Sequence, residues 1–181
     1  MRIIRGKYKG KHITAPKSFD ARPTTDFAKE GLFNLIEYEI DYENLSALDL
    51  FSGTGNISFE LLSRGAVNVT VVEISKRYAD YIERTGEQLF PGQMRVITGD
   101  AFKFLGRSPL NYDFIFADPP YELDGIADIP NLVFASKSLK SDALFILEHS
   151  IAHSFAEHPN FVKEKKYGKV HFSFFKNKPT E

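Results

Sequence analysis

The most chemically specific feature of the sequence is four consecutive residues, Asp118-Pro119-Pro120-Tyr121. Two successive prolines remove two N–H donors and hold the backbone extended. Carbonyls, one carboxylate and a flat ring are left to face outward. That set suits an –NH2 group on a planar heterocycle: Asp118 and the Pro119 carbonyl each accept one amino hydrogen while Tyr121 stacks on the ring. An exocyclic amine of this kind is a poor nucleophile, because its lone pair is delocalised into the ring. Acceptors held at tetrahedral directions favour the pyramidal nitrogen of the transition state over the planar ground state. The implied chemistry is attack by that nitrogen on an electrophile bound alongside, with proximity contributing further. The bland alternative is a proline-stiffened loop after a core strand.

A site for the electrophile is suggested by Leu48-Asp49-Leu50-Phe51-Ser52-Gly53-Thr54-Gly55-Asn56. Gly53 and Gly55 directly after a strand let the backbone turn tightly and approach a ligand with no Cβ in the way. A dinucleotide fingerprint wants a third glycine three residues beyond the second, where this chain has Ser58. Asp49 would repel a pyrophosphate but would suit a ligand carrying an ammonium group. Glu73 ends the next strand, 24 residues after Asp49, where an acid can accept from a ribose diol. Asp100 could accept from an adenine amino group and Ala101 could supply a backbone contact, although Asp100 is also a good helix N-cap. Asp49, Ser52, Gly53, Gly55, Glu73, Asp100 and Ala101 together describe a site for a nucleoside with an amino-acid tail, and NAD fits it poorly.

These residues need a scaffold of alternating strands and helices. Strands are expected at Ala47–Phe51, Asn68–Glu73, Arg95–Thr98, Tyr112–Ala117 and Ala143–Glu148. Helices are expected up to about Arg64, over Lys76–Leu89, over Ala101–Leu105 and over Ile126–Ser138. The nearly continuous apolar run Tyr112–Ala117 reads as a strand buried on both faces. Phe161–Tyr167 and Val170–Lys176 around Gly168-Lys169 read as an antiparallel hairpin. The fold class is therefore α/β: a Rossmann-like, doubly wound, mostly parallel seven-stranded sheet closed by an antiparallel hairpin. A basic N-terminal hairpin, Arg2–Gly6 with Lys11–Thr14, precedes a helix capped by Thr24 or Thr25. That helix should run through Ile40, with Phe27, Leu32, Phe33, Leu35 and Ile36 on its apolar face. Residues 1–181 are expected to form one domain, with 1–24 as the basic extension and 25–181 as the catalytic core.

The 181 residues carry a formal net charge of −1, which argues against a general polycation, but the basic residues are concentrated at the ends. Seven Lys or Arg lie between Met1 and Arg22 against Asp20 alone, and six lie from Phe161 onward against Glu164 and Glu181. Arg2, Arg5, Lys7, Lys9, Lys11, Arg22, Thr24 and Thr25 are the candidates for contact with nucleic-acid phosphates. Cysteine is absent, which excludes disulfides and Cys-ligated metals. The five histidines show no metal-ligand spacing, so no metal is assigned. No signal-like opening and no membrane-length apolar run is present, and a cytoplasmic location is expected.

The chain resembles the class I, Rossmann-like methyltransferases, and more narrowly the bacterial 16S rRNA guanine-N2 methyltransferase family. The likeness runs over nearly the whole chain. It includes Arg2-Ile3-Ile4-Arg5-Gly6 with Lys11, Arg22-Pro23-Thr24-Thr25-Asp26, Glu30-x-Leu32-Phe33-Asn34, Leu48–Gly55 and Tyr112–Tyr121. The Arg-Pro-Thr-Thr segment is the most family-specific part, since Asp-Pro-Pro-Tyr is shared with DNA amino-methyltransferases. Arg5 stands where the family often has glycine, and Ile74-Ser75 where a lysine or aspartate is common. The resemblance implies S-adenosylmethionine as methyl donor. It implies a guanine of 16S rRNA in small-subunit particles as substrate; a monomer without a membrane partner is expected. It carries base-holding roles to Asp118, Pro119, Pro120 and Tyr121. The alternatives are an amino-methyltransferase acting on DNA adenine or another RNA, and a non-catalytic RNA-binding assembly factor that kept the fold.

Overall fold

The computed structural model describes residues 1–16, 19, 26–107 and 111–178. Seven strands form one sheet in the order β3-β2-β1-β4-β5-β7-β6. These are β1 (Ser46–Leu50), β2 (Asn68–Glu73), β3 (Met94–Thr98), β4 (Tyr112–Ala117), β5 (Leu139–His149), β6 (Phe161–Tyr167) and β7 (Val170–Lys176). The first five are mutually parallel; β7 inserts antiparallel between β5 and β6.

Apolar strands covered on both sides follow from the sequence. One face of the sheet packs under α1 (Asp26–Ile36), α2 (Asn56–Arg64) and α3 (Lys76–Leu89) through Leu32, Phe33, Phe59 and Ile82. The other packs under α4 (Ala101–Leu105) and α5 (Ile129–Ala135) through Leu105, Ile129 and Val133. Alternate residues of β4 divide between the two, with Phe114 and Phe116 on the first face and Ile115 and Ala117 on the second. Strand order, not strand direction, reverses at β1, with β2 and β3 laid on one side of it and β4 and β5 on the other, so the carboxyl ends of β1 and β4 bound the crevice where ligands bind in doubly wound sheets. Among the described residues, no helix is long and apolar enough to cross a membrane.

Several boundaries differ from the sequence expectation. The first helix ends at Ile36, where the chain leaves in a turn closed by Glu39 N–H donating to the Ile36 carbonyl. Phe27, expected on the apolar face, is 67% exposed and meets the edge of Tyr167. The helix over Ile126–Ser138 is a 3-10 turn at Ile126–Asp128 followed by α5, with Pro130 in its first turn. The chain turns out after Ser136 through Lys137, whose φ is 57°. β5 starts four residues early because a register shift between Tyr112 and Phe114 accommodates the polar Lys140-Ser141-Asp142. β1 stops at Leu50: Phe51 has φ 62°, a left-handed conformation rare for a bulky side chain.

The N-terminal hairpin contracts to a single bridge, Arg2 with His12, flanked by Ile3 N–H to the Lys11 carbonyl at 3.0 Å and Ile13 N–H to the Met1 carbonyl at 3.0 Å. Docking replaces ladder length. Glu60, fully buried on α2, accepts from the Ile4 and Arg5 N–H groups at 2.8 and 3.0 Å and from Arg64 Nε at 2.9 Å. The buried Lys29 ammonium lies 3.3 Å from Glu60 and donates to the Arg2 carbonyl and to Asn56 Oδ1. Gly6, at φ +82°, presses so closely on α2 that a Cβ would lie 1.7 Å from the Ser63 carbonyl oxygen. Arg22, Thr24 and Thr25, and with them the expected cap of α1, lie outside the described residues.

Candidate functional site

Residues chosen from distant parts of the sequence meet at the carboxyl ends of β1, β2 and β4. Leu50 pairs with Ala117, so the turn beginning at Phe51 and the loop beginning at Asp118 leave the sheet side by side. Asp118 N–H reaches back to the Leu50 carbonyl at 3.4 Å.

The turn after β1 is built by Gly53 and Gly55, at φ +57° and +79°. A Cβ on Gly53 would meet nothing within 4 Å, so the space over the turn is open. Glu73, mostly buried at the end of β2, accepts from Gly53 N–H and Ser75 N–H, each at 2.8 Å. That carboxylate therefore shapes the turn and still has lone pairs to offer. Burial raises its pKa against those bonds. Ser52 N–H donates to the Val72 carbonyl at 3.2 Å, tying the turn to β2.

Asp49 is buried at the foot of the turn, its Oδ2 accepting from Ser58 Oγ at 2.5 Å. Burial pushes its carboxyl up to about 7, and the neighbouring Asp118 and Glu73 charges push the same way against the Ser58 bond. A buried acid held this high lacks a cation, which a ligand ammonium would supply. By this observation the residues fit the amino-acid end of S-adenosylmethionine. Asp100 caps α4, accepting from Lys103 N–H at 2.9 Å through Oδ1. Phe102, two residues on, stands edge-to-face with Phe51 at 6.0 Å. It also lines a cleft of about 530 Å³ with Asp124, Gly125, Asp128, Asn131 and Leu132. That cleft contains none of the expected site residues.

In the loop after β4, Pro119 is buried and Pro120 exposed. The Pro120 carbonyl is taken by Leu123 N–H at 2.9 Å, closing a turn. Pro120 thus fixes the loop through a carbonyl that already accepts one hydrogen bond. Tyr121 is 41% exposed, and its hydroxyl lies 3.5 Å from Glu148 Oε1. Burial, with the Glu148 and Asp118 charges, pushes its pKa up to about 12.

Sequence reasoning missed Glu148, an acid directly after the apolar run Ala143–Leu147 of β5; that placement is the available signal. It missed the positive φ of Phe51, which no side-chain pattern announces. It read Ser58 as a missing glycine, where the structure shows a hydrogen-bond donor to Asp49. It also saw the histidines as scattered. Strand pairing instead brings His149, Glu164 and His171 together, with candidate ligand atoms within 4.8 Å of one another. Protein partners occupy them: His171 Nδ1 lies 3.1 Å from Glu164 Oε1, and His149 donates through Nδ1 to the Ser150 carbonyl. His149 Nε2 then accepts the Ser173 hydroxyl at 2.8 Å, and burial lowers this ring's pKa toward the neutral form. The cluster pins β6 and β7 to β5.

The candidate RNA-contacting side chains divide. Arg2 pairs with Glu30 at 3.1 Å and Arg5 with Glu37 at 2.7 Å, so both guanidiniums hold the segment onto the body. Lys7, Lys9 and Lys11 are exposed around the Tyr8 turn, with Lys7 and Lys11 over the Tyr8 ring.

The model of a family described as Conserved hypothetical protein 95 matches residues 1–176. Ribosomal RNA small subunit methyltransferase D of Buchnera aphidicola subsp. Baizongia pistaciae is 32% identical over 98% of this chain and 92% of its own length. The Escherichia coli K12 protein of the same name is 29% identical over 97% and 89%. Among solved structures, an E. coli protein provisionally named methyltransferase yhhF superposes with a TM-score of 0.85 at 27% identity, covering 98% of this chain and 99% of that one. SMU.776, crystallised with S-adenosylhomocysteine, shares the fold at a TM-score of 0.64 and 17% identity, over 84% of this chain and 50% of that one. With the match spanning nearly every residue of a methyltransferase-type sheet, the chain belongs to the Conserved hypothetical protein 95 family.

Proposed function

We propose that this protein transfers a methyl group from S-adenosylmethionine to the exocyclic N2 of a guanine in 16S rRNA, acting as a monomer on small-subunit ribosomal particles in the cytoplasm. The observation that carries the proposal is the pairing of Leu50 with Ala117, which sets the Asp49–Gly55 turn beside the Asp118–Tyr121 loop. The nearly full-length likeness to proteins named ribosomal RNA small subunit methyltransferase D supports the substrate class.

Bound S-adenosylmethionine supplies an electrophilic methyl group. Asp49 receives its ammonium, Glu73 its ribose hydroxyls, and Asp100 Oδ2 with the Ala101 backbone its adenine; Ser52, Gly53 and Gly55 form the turn beneath it. Asp118 and the Pro119 carbonyl accept the two amino hydrogens of the base, and Tyr121 stacks on it. Because these acceptors favour a pyramidal nitrogen, they bind the transition state more tightly than the planar amine. Asp118 would also take the surplus proton of the methylated nitrogen. Residues 1–24 serve as the basic extension of the catalytic core 25–181, and within it Lys7, Lys9 and Lys11 meet phosphates. Arg22, Thr24 and Thr25 are assigned by likeness alone.

The test is transfer of labelled methyl to small-subunit particles, naked 16S rRNA, duplex DNA and protein, followed by mapping of the modified nucleotide. N2-methylguanine in 16S rRNA is expected. Label found in adenine, in DNA or only in protein contradicts the assignment, and binding of RNA without any transfer would mark an assembly factor instead.

A further inference from the structure

Glu148 is the next-to-last residue of β5, and the pairing of Leu147 with Ala117 places it alongside Asp118. It is 5% exposed. Its Oε1 faces the Tyr121 hydroxyl at 3.5 Å, and its Oε2 is buried with no hydrogen-bond donor at normal geometry among the described residues. Across β7 its partner is the uncharged Phe172. The groups that face it with a charge or a titratable proton are therefore Asp118 and Tyr121; the neighbouring His149 belongs to the cluster with Ser173 and Glu164. Two carboxylates cannot share so dry a place while both are ionised. Burial, followed by the Asp118 charge, pushes Glu148 up to about 9, so at neutral pH it is the member that keeps a proton.

We propose that Glu148 is a positioning residue of the methyl-transfer site, a neutral acid packed against Asp118 and Tyr121 that leaves the Asp118 carboxylate ionised and turned toward the base amine. The inference rests on the role proposed for Asp118 and extends it. A neutral carboxyl can donate to Asp118 and accept from Tyr121 at once, which neither an ionised carboxylate nor an alkyl side chain can do. Ionisation of Glu148 would set two negative charges side by side and turn the acceptor aside.

The experiment compares kcat/KM for methyl transfer to small-subunit particles by wild type, Glu148→Gln and Glu148→Ala between pH 7 and 10, with S-adenosylhomocysteine affinity as the folding control. Glutamine mimics the neutral acid, so E148Q is expected within about threefold of wild type at pH 7.5, and E148A reduced about 30-fold or more. Wild-type activity should fall as pH passes 9. E148Q should keep only the decline due to ionisation of the guanine itself, which both share. E148A within about threefold of wild type, E148Q as impaired as E148A, or superimposed pH profiles would each overturn the proposal. If E148A does not fold, the E148Q profile decides. If wild type methylates no RNA, the substrate reading fails, and carbon-13 NMR titration of the Glu148 carboxyl decides instead. A midpoint well above the ordinary carboxylate range that drops in Asp118→Asn supports the pairing, and an ordinary midpoint sinks it.

Discussion

Ser58 donates its hydroxyl to Asp49 Oδ2 at 2.5 Å, from the first turn of α2 to the strand below it, and both side chains are buried. A pyrophosphate-binding chain would carry a glycine at position 58, so that helix and strand could close on each other. Here the serine side chain fills that room and fixes one carboxylate oxygen. The acid is thereby held in one orientation at the foot of the turn.

Asp49 should consequently trade stability for binding. Its folded pKa of about 7 lies above the value of about 3.9 in an unfolded chain. The folded state therefore binds the extra proton between those values. Stability from this group is present at low pH and is lost as pH rises through 7. Asp49→Asn removes that loss and keeps an acceptor for Ser58. Its melting temperature at pH 8 is expected above wild type by calorimetry, while affinity for S-adenosylhomocysteine falls about tenfold or more. For wild type, the same affinity should weaken by about tenfold per pH unit below 7. A variant less stable than wild type at pH 8 would contradict the argument.

Removing the acceptor should separate chemistry from cofactor binding. Asp118→Ala is expected to lower methyl transfer by about 100-fold or more, with S-adenosylhomocysteine affinity within about threefold of wild type. Single-turnover kinetics and calorimetry give the two numbers. Turnover near the wild-type rate would remove Asp118 from the mechanism.

Tyr121 is a test of stacking. Tyr121→Ala should lose about 1–3 kcal/mol of substrate affinity, as expected for one base on one ring. Tyr121→Phe keeps the ring face and should stay close to wild type. Equal losses in the two variants would assign the effect to the hydroxyl and its 3.5 Å approach to Glu148.

The exposed lysines of the N-terminal turn should govern salt dependence. Changing Lys7, Lys9 and Lys11 together to alanine should reduce the slope of log affinity against log salt by about 2 to 3 for RNA, near 0.7–0.9 for each phosphate no longer neutralised. Arg2 and Arg5 already hold Glu30 and Glu37, so the same change there should alter the slope less and stability more. Filter binding over a salt series discriminates between these outcomes.

Glu60 carries the attachment of that segment. Glu60→Ala would leave the Lys29 ammonium and the Ile4 and Arg5 N–H groups without their shared acceptor. The expected loss is on the order of 3–5 kcal/mol in urea denaturation, with faster protease cleavage before residue 16. Glu60→Gln keeps an acceptor oxygen and should lose less. Wild-type stability in the alanine variant would show that the network is not what holds the segment.

The parallel core was legible because burial on both faces writes unbroken apolar runs such as Tyr112–Ala117, and glycines after β1 mark the turn. The site residues Asp49, Glu73 and Asp118 could be picked because each lies at or beside the end of a strand. Features set by pairing between strands left no such trace. β5 hid its first residues behind a register shift at polar positions, and His149, Glu164 and His171 met only once β7 slid between β5 and β6. Glu148 ended an expected strand without any sign that its neighbour would be Asp118. The N-terminal hairpin was overread because its stability comes from a buried acid on a distant helix and not from its own ladder.

The sheet ends on β6, whose outer backbone groups are offered to water and to any extended chain that drifts past. Lys163, Lys165 and Lys166 stand along that border, with Lys163 tied to Glu39 and the other two exposed. A second copy adding itself edge-on would bring its own row of ammonium groups against these, with cost rising for every strand appended. The antiparallel hairpin therefore gives the molecule a cationic selvedge that discourages fibre growth at high concentration.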